Sequence, residues 1–514
     1  MNFANELDST ARDYPEKVAV SDERRELTYR ELADETDALA GALAESGVDG
    51  GERVALYMPG STTFVAAYFG AMKLGAIPVP LNLRFDYHEL DELIDEVGAQ
   101  TVIGNEDLPT APEALRADVI ERRIVRGSDA GRSYEAMIEE ATPIDEPLPR
   151  EDDHLAEIVY TRGTTDEPRA VLHTHDNVWS NARALDRYLE LSHRGIGLTA
   201  CPAFHVFGLH GTVTPLVSAG ATNHFPSEWG ESVLELIEER AVTLTVLVPA
   251  MLKDVLEGYD GTRDLASLDR VVVAGGSVTA ETLEEADSAL GCSIGAMYGT
   301  TETMPVTALD RADGPDYEPG WVGRPAEEVV ALRIEDPRDG TALGPGERGE
   351  LLWRGATVTP GYWDPEVDAE LFVQRDGERW LRSGDVGYVT DGVLSVEGRT
   401  EDLIRTDDGF LLAGDVEDAL YGIEGALEAA VVASEEAARV VVMPEIDAES
   451  LDEEAVRDAC RDVSGGDWVP PEVEFIRDLP RTVISSMNRR DVGRSDWFDR
   501  SDQGTTEPDP DVTG

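Results

Sequence analysis

Leu32, Thr36, Leu39, Ala40 and Leu43 follow one another at helical spacing directly after Thr28-Tyr29-Arg30-Glu31, which has the spacing of a capping box. The pattern predicts a helix that opens at Thr28 and stops at Gly47. Next come a short apolar strand over Arg53–Met58, a helix over Ser61–Leu74, a strand over Ile77–Leu81, a helix over His88–Val97 and a strand at Thr101–Ile103. Such alternation is the signature of parallel α/β layers. After a polar interval near 140–153 the same rhythm resumes, with strands expected at Glu157–Tyr160, Thr243–Val248 and Arg270–Val273, and continues to about Tyr298.

From Glu327 the pattern changes to short strands divided by Gly and Pro turns, as in Gly349–Gly355 and Gly392–Gly398, which predicts a β-rich subdomain over about 327–400. At 514 residues the chain exceeds what one hydrophobic core usually supports. The expected organisation is α/β: a large N-terminal domain over 1–400, built of parallel αβ layers plus the β-rich subdomain, then a small α+β domain over 401–500. The stretch 501–514 lacks a packing face and is expected to be a disordered acidic tail. The longest apolar run, Phe64–Leu83, is broken by Lys73, Pro78 and Pro80 and reads as a buried helix and strand instead of a membrane span.

Charge changes this picture. The chain has 105 acidic against 43 basic residues, a formal net charge of -62, and only Lys17, Lys73 and Lys253 as lysines. Acids are dispersed along the whole chain, so a cation-binding tail is not indicated, and no basic footprint for nucleic acid exists. At about 1 M salt the Debye length shrinks to about 3 Å, which makes such a surface tolerable. A cytoplasmic, high-salt setting is therefore expected. Three dispersed cysteines, Cys201, Cys292 and Cys460, fit a reducing compartment, and the acidic N-terminus does not resemble a signal peptide.

Candidate chemistry lies in loops that follow strands. Tyr160–Arg169 reads Y-T-R-G-T-T-D-E-P-R, whose hydroxyls, backbone N–H groups and Arg169 cation suit phosphates. Tyr298-Gly299-Thr300-Thr301-Glu302 joins a flat ring, hydroxyls and a carboxylate able to hold Mg²⁺. Ser383-Gly384-Asp385 offers a carboxylate for ribose hydroxyls, and Gly398-Arg399 follows. His173, His175, His205 and His210 lack a helix-spaced ligand pair, so a structural metal is not expected from them.

Taken in order over nearly the whole chain, these segments resemble the superfamily of AMP-forming acyl-CoA synthetases, luciferases and peptide-synthetase adenylation domains. The phosphate loop Y-T-S-G-T-T-G-x-P-K-G with its later T-H is similar to Tyr160–Ala170 with Thr174-His175, and Y-G-x-T-E to Tyr298–Glu302. The turn Gly275-Gly276-Ser277 and the segments Gly349-Glu350-Leu351, Gly361-Tyr362-Trp363 and Leu479–Thr482 also match. The resemblance implies that a carboxylic or fatty acid is activated with ATP to an acyl-adenylate, with Mg²⁺, and then passed to coenzyme A. It implies that Thr161, Gly163, Thr164 and Thr165 hold phosphates, with Arg169 in place of the loop lysine. Gly275, Gly276, Ser277 and Tyr298 would enclose adenine, with Gly299 and Thr300 in the same nucleotide-binding loop. Thr301 would meet the α-phosphate, Glu302 the Mg²⁺, and Asp385 with Arg399 the ribose, while His205 and Phe207 would approach the acyl group. The hinge for rotation of the small domain would be Glu401.

The pattern departs from the family at the C-terminal catalytic lysine, whose frame here holds Ser486. Serine cannot neutralise charge, and losing one preorganised stabiliser costs on the order of 10²–10³ in rate. Arg162 and Asp166 replace a serine and a glycine of the phosphate loop, and Asp407-Asp408 replace a glycine pair. Two expectations follow: a working carboxylate–CoA ligase, or a catalytically impaired relative that binds nucleotide, acyl-adenylate or a CoA thioester.

Overall fold

The helix expected after Thr28 spans Tyr29–Glu45 in the computed structural model, with the Thr28 hydroxyl accepting the Glu31 N–H and the Glu31 carboxylate accepting the Thr28 N–H. The structure describes residues 1–514 apart from 107, 109–111, 113–114, 128–131, 162–167, 231, 309–319, 407–408, 433–437, 445–450, 467 and 477–514. The chain divides into two compact units: Met1–Ser383 with Tyr388–Val396, and Gly384–Gly387 with Glu397–Gly514.

Two sheets of the first unit carry the parallel rhythm. In the five-stranded one, Ile77–Pro80, Arg53–Tyr57, Thr101–Asn105, Arg122–Arg126 and Arg132–Ser133 lie side by side, all parallel. In the seven-stranded one the order is Ser293–Met297, Arg270–Ala274, Leu244–Leu247, Ile196–Leu198, Thr222–His224, Val18–Ser21 and Glu26–Thr28, with only the last pair antiparallel. Every residue of the helix Thr62–Lys73 is buried, which is why its sequence is apolar on all sides and not striped. Lys73 ends it without exposure because Asp8 and Asp37 each place a carboxylate oxygen on its ammonium, at 2.6 and 2.5 Å. Among the described residues no helix is long and apolar enough to cross a membrane.

The strand expected at Glu157–Tyr160 corrects one part of the sequence reading. It spans Leu155–Tyr160 and leaves the parallel layers to pair antiparallel with Ala170–Thr174, Glu157 opposite His173 and Tyr160 opposite Ala170. The short connection from Thr161 to Arg169 permits only a hairpin, since a parallel return needs a crossover of about a dozen residues or more. The antiparallel sheet also begins upstream of Glu327. Trp321–Pro325 pairs with Val393–Arg399, and Thr307–Ala308 with Trp321–Pro325. Gly323, at φ +101°, and the neighbouring register shift disguise that strand in the sequence.

The second unit has its own core. Strands Ala426–Val432, Arg439–Pro444 and Glu472–Phe475 form a sheet that helices Ala413–Tyr421 and Glu453–Val463 cover, burying Val416, Leu420, Val440, Val442, Val456 and Cys460. All three cysteines are buried thiols; burial pushes those of Cys292 and Cys460 up to about 11.

Candidate active site

The hairpin closes the phosphate-loop segment at its base. The Thr161 N–H donates to the Arg169 carbonyl at 3.0 Å and the Arg169 N–H to the Thr161 hydroxyl at 2.9 Å, so the two ends of the loop are tied together. Gly163, Thr164 and Thr165, with Arg162 and Asp166, lie outside the described residues. A third stretch runs beside the hairpin: Tyr362 bridges Val171, the Leu172 N–H donates to the Gly361 carbonyl, and the Trp363 N–H to the Ala170 carbonyl.

That stretch meets the Tyr298–Glu302 segment. Gly299 and Thr300 pair with Pro305 and Met304 so tightly that a Cβ on Gly299 would sit 2.1 Å from the Met304 carbonyl oxygen, and only glycine fits. Met304 takes φ +57°, a conformation that non-glycine residues seldom adopt. The Thr300 N–H donates to the Thr303 hydroxyl, and the buried Thr301 carbonyl accepts from His173 Nε2 at 2.8 Å. Thr359 donates its N–H to the Glu302 carbonyl, and Tyr362 donates its hydroxyl to Glu302 Oε1 at 2.8 Å. Burial and then the facing Glu302 carboxylate push the Tyr362 phenol well above its usual range, so it stays a donor. Glu302 Oε2 makes no hydrogen bond or ion pair with the described residues. A fixed, half-buried carboxylate with one oxygen uncommitted is the hard donor that Mg²⁺ takes.

The adenine contacts expected from the sequence are distributed unevenly. Gly275 (φ +78°), Gly276 and Ser277 are exposed at the end of strand Arg270–Ala274, and a Cβ on Gly275 would come within 3.3 Å of the Phe207 ring. Tyr298 is buried, with its ring stacked on Trp353 at 5.8 Å between centroids, so one face that the sequence reading gave to adenine is committed to the core of the antiparallel sheet. His205 and Phe207, expected to approach the acyl group, lie against one another. Their rings stack at 5.7 Å, and His205 Nδ1 accepts the Phe207 N–H.

In the second unit, Asp385 is buried and pairs its Oδ1 with Arg399 Nε at 3.0 Å. The Arg399 side chain remains 53% exposed. Gly384 reaches this turn at φ +72°. Glu401 is exposed in the short turn Thr400–Asp402. Ser486 and Leu479–Thr482 lie outside the described residues, as do Asp407 and Asp408.

Four side chains near the site are not singled out by the sequence: Glu157 lies within an apolar strand, Tyr362 within a matching segment, and His173 and His210 converge from distant positions. The signal for the first was present: a glutamate at the centre of L-A-E-I-V-Y has to be paired if that strand is buried.

The AMP-binding enzyme family matches residues 7–363. The chain is 31% identical over 507 residues to an indoleacetate–CoA ligase of Aromatoleum aromaticum, covering 96% of this chain and 98% of that one. It is 32% identical over 497 residues to a feruloyl-CoA synthase of Amycolatopsis, covering 94% and 97%. ATP-bound MatB from Rhodopseudomonas palustris superposes with a TM-score of 0.81 at 25% identity, covering 98% of this chain and all 100% of that structure. On a match to more than half of its residues, and on relatives similar along almost their full length, this chain belongs to the AMP-binding enzyme family.

Proposed function

We propose that the chain is an AMP-forming carboxylate–CoA ligase acting on a small acid with an aromatic ring. The observation that carries the reading is Glu302: Tyr362 fixes one carboxylate oxygen, and the other is uncommitted among the described residues, beside a hairpin that ties off a phosphate loop at Thr161 and Arg169. A carboxylate oxygen of the acid attacks the α-phosphorus of ATP, the bond to pyrophosphate breaks, and an acyl-adenylate forms. The thiol of coenzyme A then attacks the acyl carbon and AMP leaves. Thr161, Gly163, Thr164, Thr165 and Arg169 are the proposed phosphate contacts, and Thr301 the α-phosphate contact. Gly275, Gly276, Ser277, Tyr298, Gly299 and Thr300 are assigned to the base side, and Asp385 with Arg399 to the ribose. Glu302 would hold Mg²⁺, which would supply positive charge against the phosphate oxygens. Aromatic acids are named in both curated relatives compared above, and the stacked pair His205 and Phe207 suits a flat ring better than a long alkyl chain.

One residue favours a second reading. Ser486 stands where the family has its catalytic lysine, and a relative without that cation would bind nucleotide or thioester without efficient adenylation. Both readings assume a salt-adapted protein whose small domain turns at Glu401. Pyrophosphate and AMP release in multi-molar KCl, with Mg-ATP, coenzyme A and a panel of aryl and fatty acids, tests them beside Ser486→Lys. Acid-dependent release by the unmodified protein, largest with an aryl acid, is the expected outcome. Release only by the lysine variant would favour the binding reading, and a fatty-acid preference would overturn the aromatic assignment.

A further inference from the structure

Beneath the nucleotide segment lies a fully buried cluster that no step of the proposed reaction uses. Glu157, on the first strand of the hairpin, and His173, opposite it on the second, place Oε1 and Nδ1 2.7 Å apart. His210, from the π-helical segment Leu209–Val213, brings Nε2 to 2.5 Å from the same oxygen, and Tyr68, from the helix Thr62–Lys73, donates its hydroxyl to Glu157 Oε2 at 2.7 Å. The side chains of Glu157, His173 and His210 are each 0% exposed. The remaining ring nitrogens end on Thr214 Oγ1, 3.2 Å from His210 Nδ1, and on the Thr301 carbonyl, 2.8 Å from His173 Nε2.

These three side chains gather possible metal-ligand atoms within 4.8 Å of one another. The distances argue for protons instead. Ligands about 2.0–2.1 Å from a tetrahedral zinc stand more than 3 Å from each other, whereas these atoms sit at hydrogen-bond separation.

Proton bookkeeping then constrains His173. A backbone carbonyl only accepts, so Nε2 carries a proton. Nδ1 faces a carboxylate that already collects donors from His210 and Tyr68, and three donors on one carboxylate favour its ionised form. Burial alone would raise the Glu157 carboxyl, but the facing imidazoles, His210 foremost, more than offset it and hold the group well below the ordinary range. With Glu157 ionised, a bare Nδ1 would set lone pair against lone pair.

We propose that His173 is a doubly protonated positioning residue, ion-paired to Glu157, whose Nε2–H grips the Thr301 carbonyl and so sets the Thr301–Glu302 segment against the phosphate-loop hairpin. The cluster ties together the hairpin, the helix Thr62–Lys73, the π-helical segment that follows Phe207, and the segment bearing Glu302. This inference rests on the nucleotide reading of that segment.

The test uses the full chain in high KCl. With ¹⁵N-histidine labelling, one ring signal, absent from His173→Gln, should carry protons on both nitrogens. Calorimetric Mg-ATP binding should weaken about 10- to 100-fold in His173→Phe. His173→Gln, which keeps an N–H donor, should lose less. A singly protonated ring, or undiminished Mg-ATP binding by folded variants, would overturn the proposal, as would stoichiometric divalent metal in the purified protein. Should His173→Phe fail to fold, the glutamine variant and the ring spectrum of the unmodified protein still decide. Absence of Mg-ATP binding by the unmodified protein would sink the nucleotide reading, and the positioning role with it, whatever the ring shows.

Discussion

Two glutamates of the first unit flank the same short segment and are treated in opposite ways. Glu157 reaches the Thr301 carbonyl through His173, is wholly buried, and spends both oxygens on protein donors. Glu302 is half-buried, spends one oxygen on Tyr362, and keeps the other uncommitted among the described residues. A wholly buried carboxylate with protein donors on both oxygens has neither oxygen open to a ligand, and removing it strands its donors. A carboxylate fixed at one oxygen is oriented and still available. The contrast separates a charge committed to the fold from one left available to a ligand more cleanly than exposure alone.

The largest expected effect breaks the first half of this contrast. Glu157→Ala leaves the His173 and His210 donors and the Tyr68 hydroxyl facing a void, and unfolding free energy should fall by about 3–5 kcal/mol. Denaturant titration at fixed high KCl measures it. A loss below about 1 kcal/mol, the range of an exposed pair, would show that the cluster is not a saturated buried charge.

The second half predicts the reverse pattern. Glu302→Gln preserves an acceptor for Tyr362 but removes the charge, so stability should stay within about 0.5 kcal/mol of the unmodified protein. AMP formation should fall on the order of 10²–10³. Unaltered turnover would detach Glu302 from the chemistry; a large loss of stability would class it with Glu157.

How much of this was legible in the sequence follows from where the partners lie. The helix Tyr29–Glu45 and the parallel strands were readable because spacing and caps are local, as at Thr28 and Glu31. The hairpin Leu155–Thr174 was misassigned because its first strand is as apolar as a parallel one, and only the short return to Ala170 distinguishes it. Of the expected site residues, Thr161 with Arg169, His205 with Phe207, and Asp385 with Arg399 do come together. The engagement of Tyr298 with Trp353 was not visible, since an aromatic after a strand suits a base or a core equally. Nor was the Glu157 cluster: Tyr68 lies 89 residues upstream of Glu157, His210 lies 53 downstream, and no local pattern links them.

The smallest effect sharpens the comparison within one strand end. His173 faces an acceptor at both ring nitrogens, but His175 Nδ1 accepts the Phe3 N–H at 3.2 Å and must keep its lone pair. Burial foremost, then the N-terminal ammonium and Arg150, lowers the His175 pKa to about 4; burial foremost also lowers that of His224 to about 4. A folded-state value below the ordinary one near about 6.5 means that the unfolded chain binds more protons as the medium is acidified. The stabilisation is therefore complete above about pH 6.5 and is lost as pH falls toward 4. Glu157 adds to the loss only lower, once pH drops below the ordinary glutamate value near about 4.3. Between those limits each buried neutral histidine contributes at most about 1.36 kcal/mol per pH unit to the slope. His175→Gln, whose amide oxygen can accept the Phe3 N–H, should flatten the fall in unfolding free energy between pH 6.5 and 4 by no more than that amount and leave the value at pH 8 nearly unchanged. An unaltered slope would mean that His175 is protonated in the folded protein, and the opposite proton demands read from the two histidines would not hold.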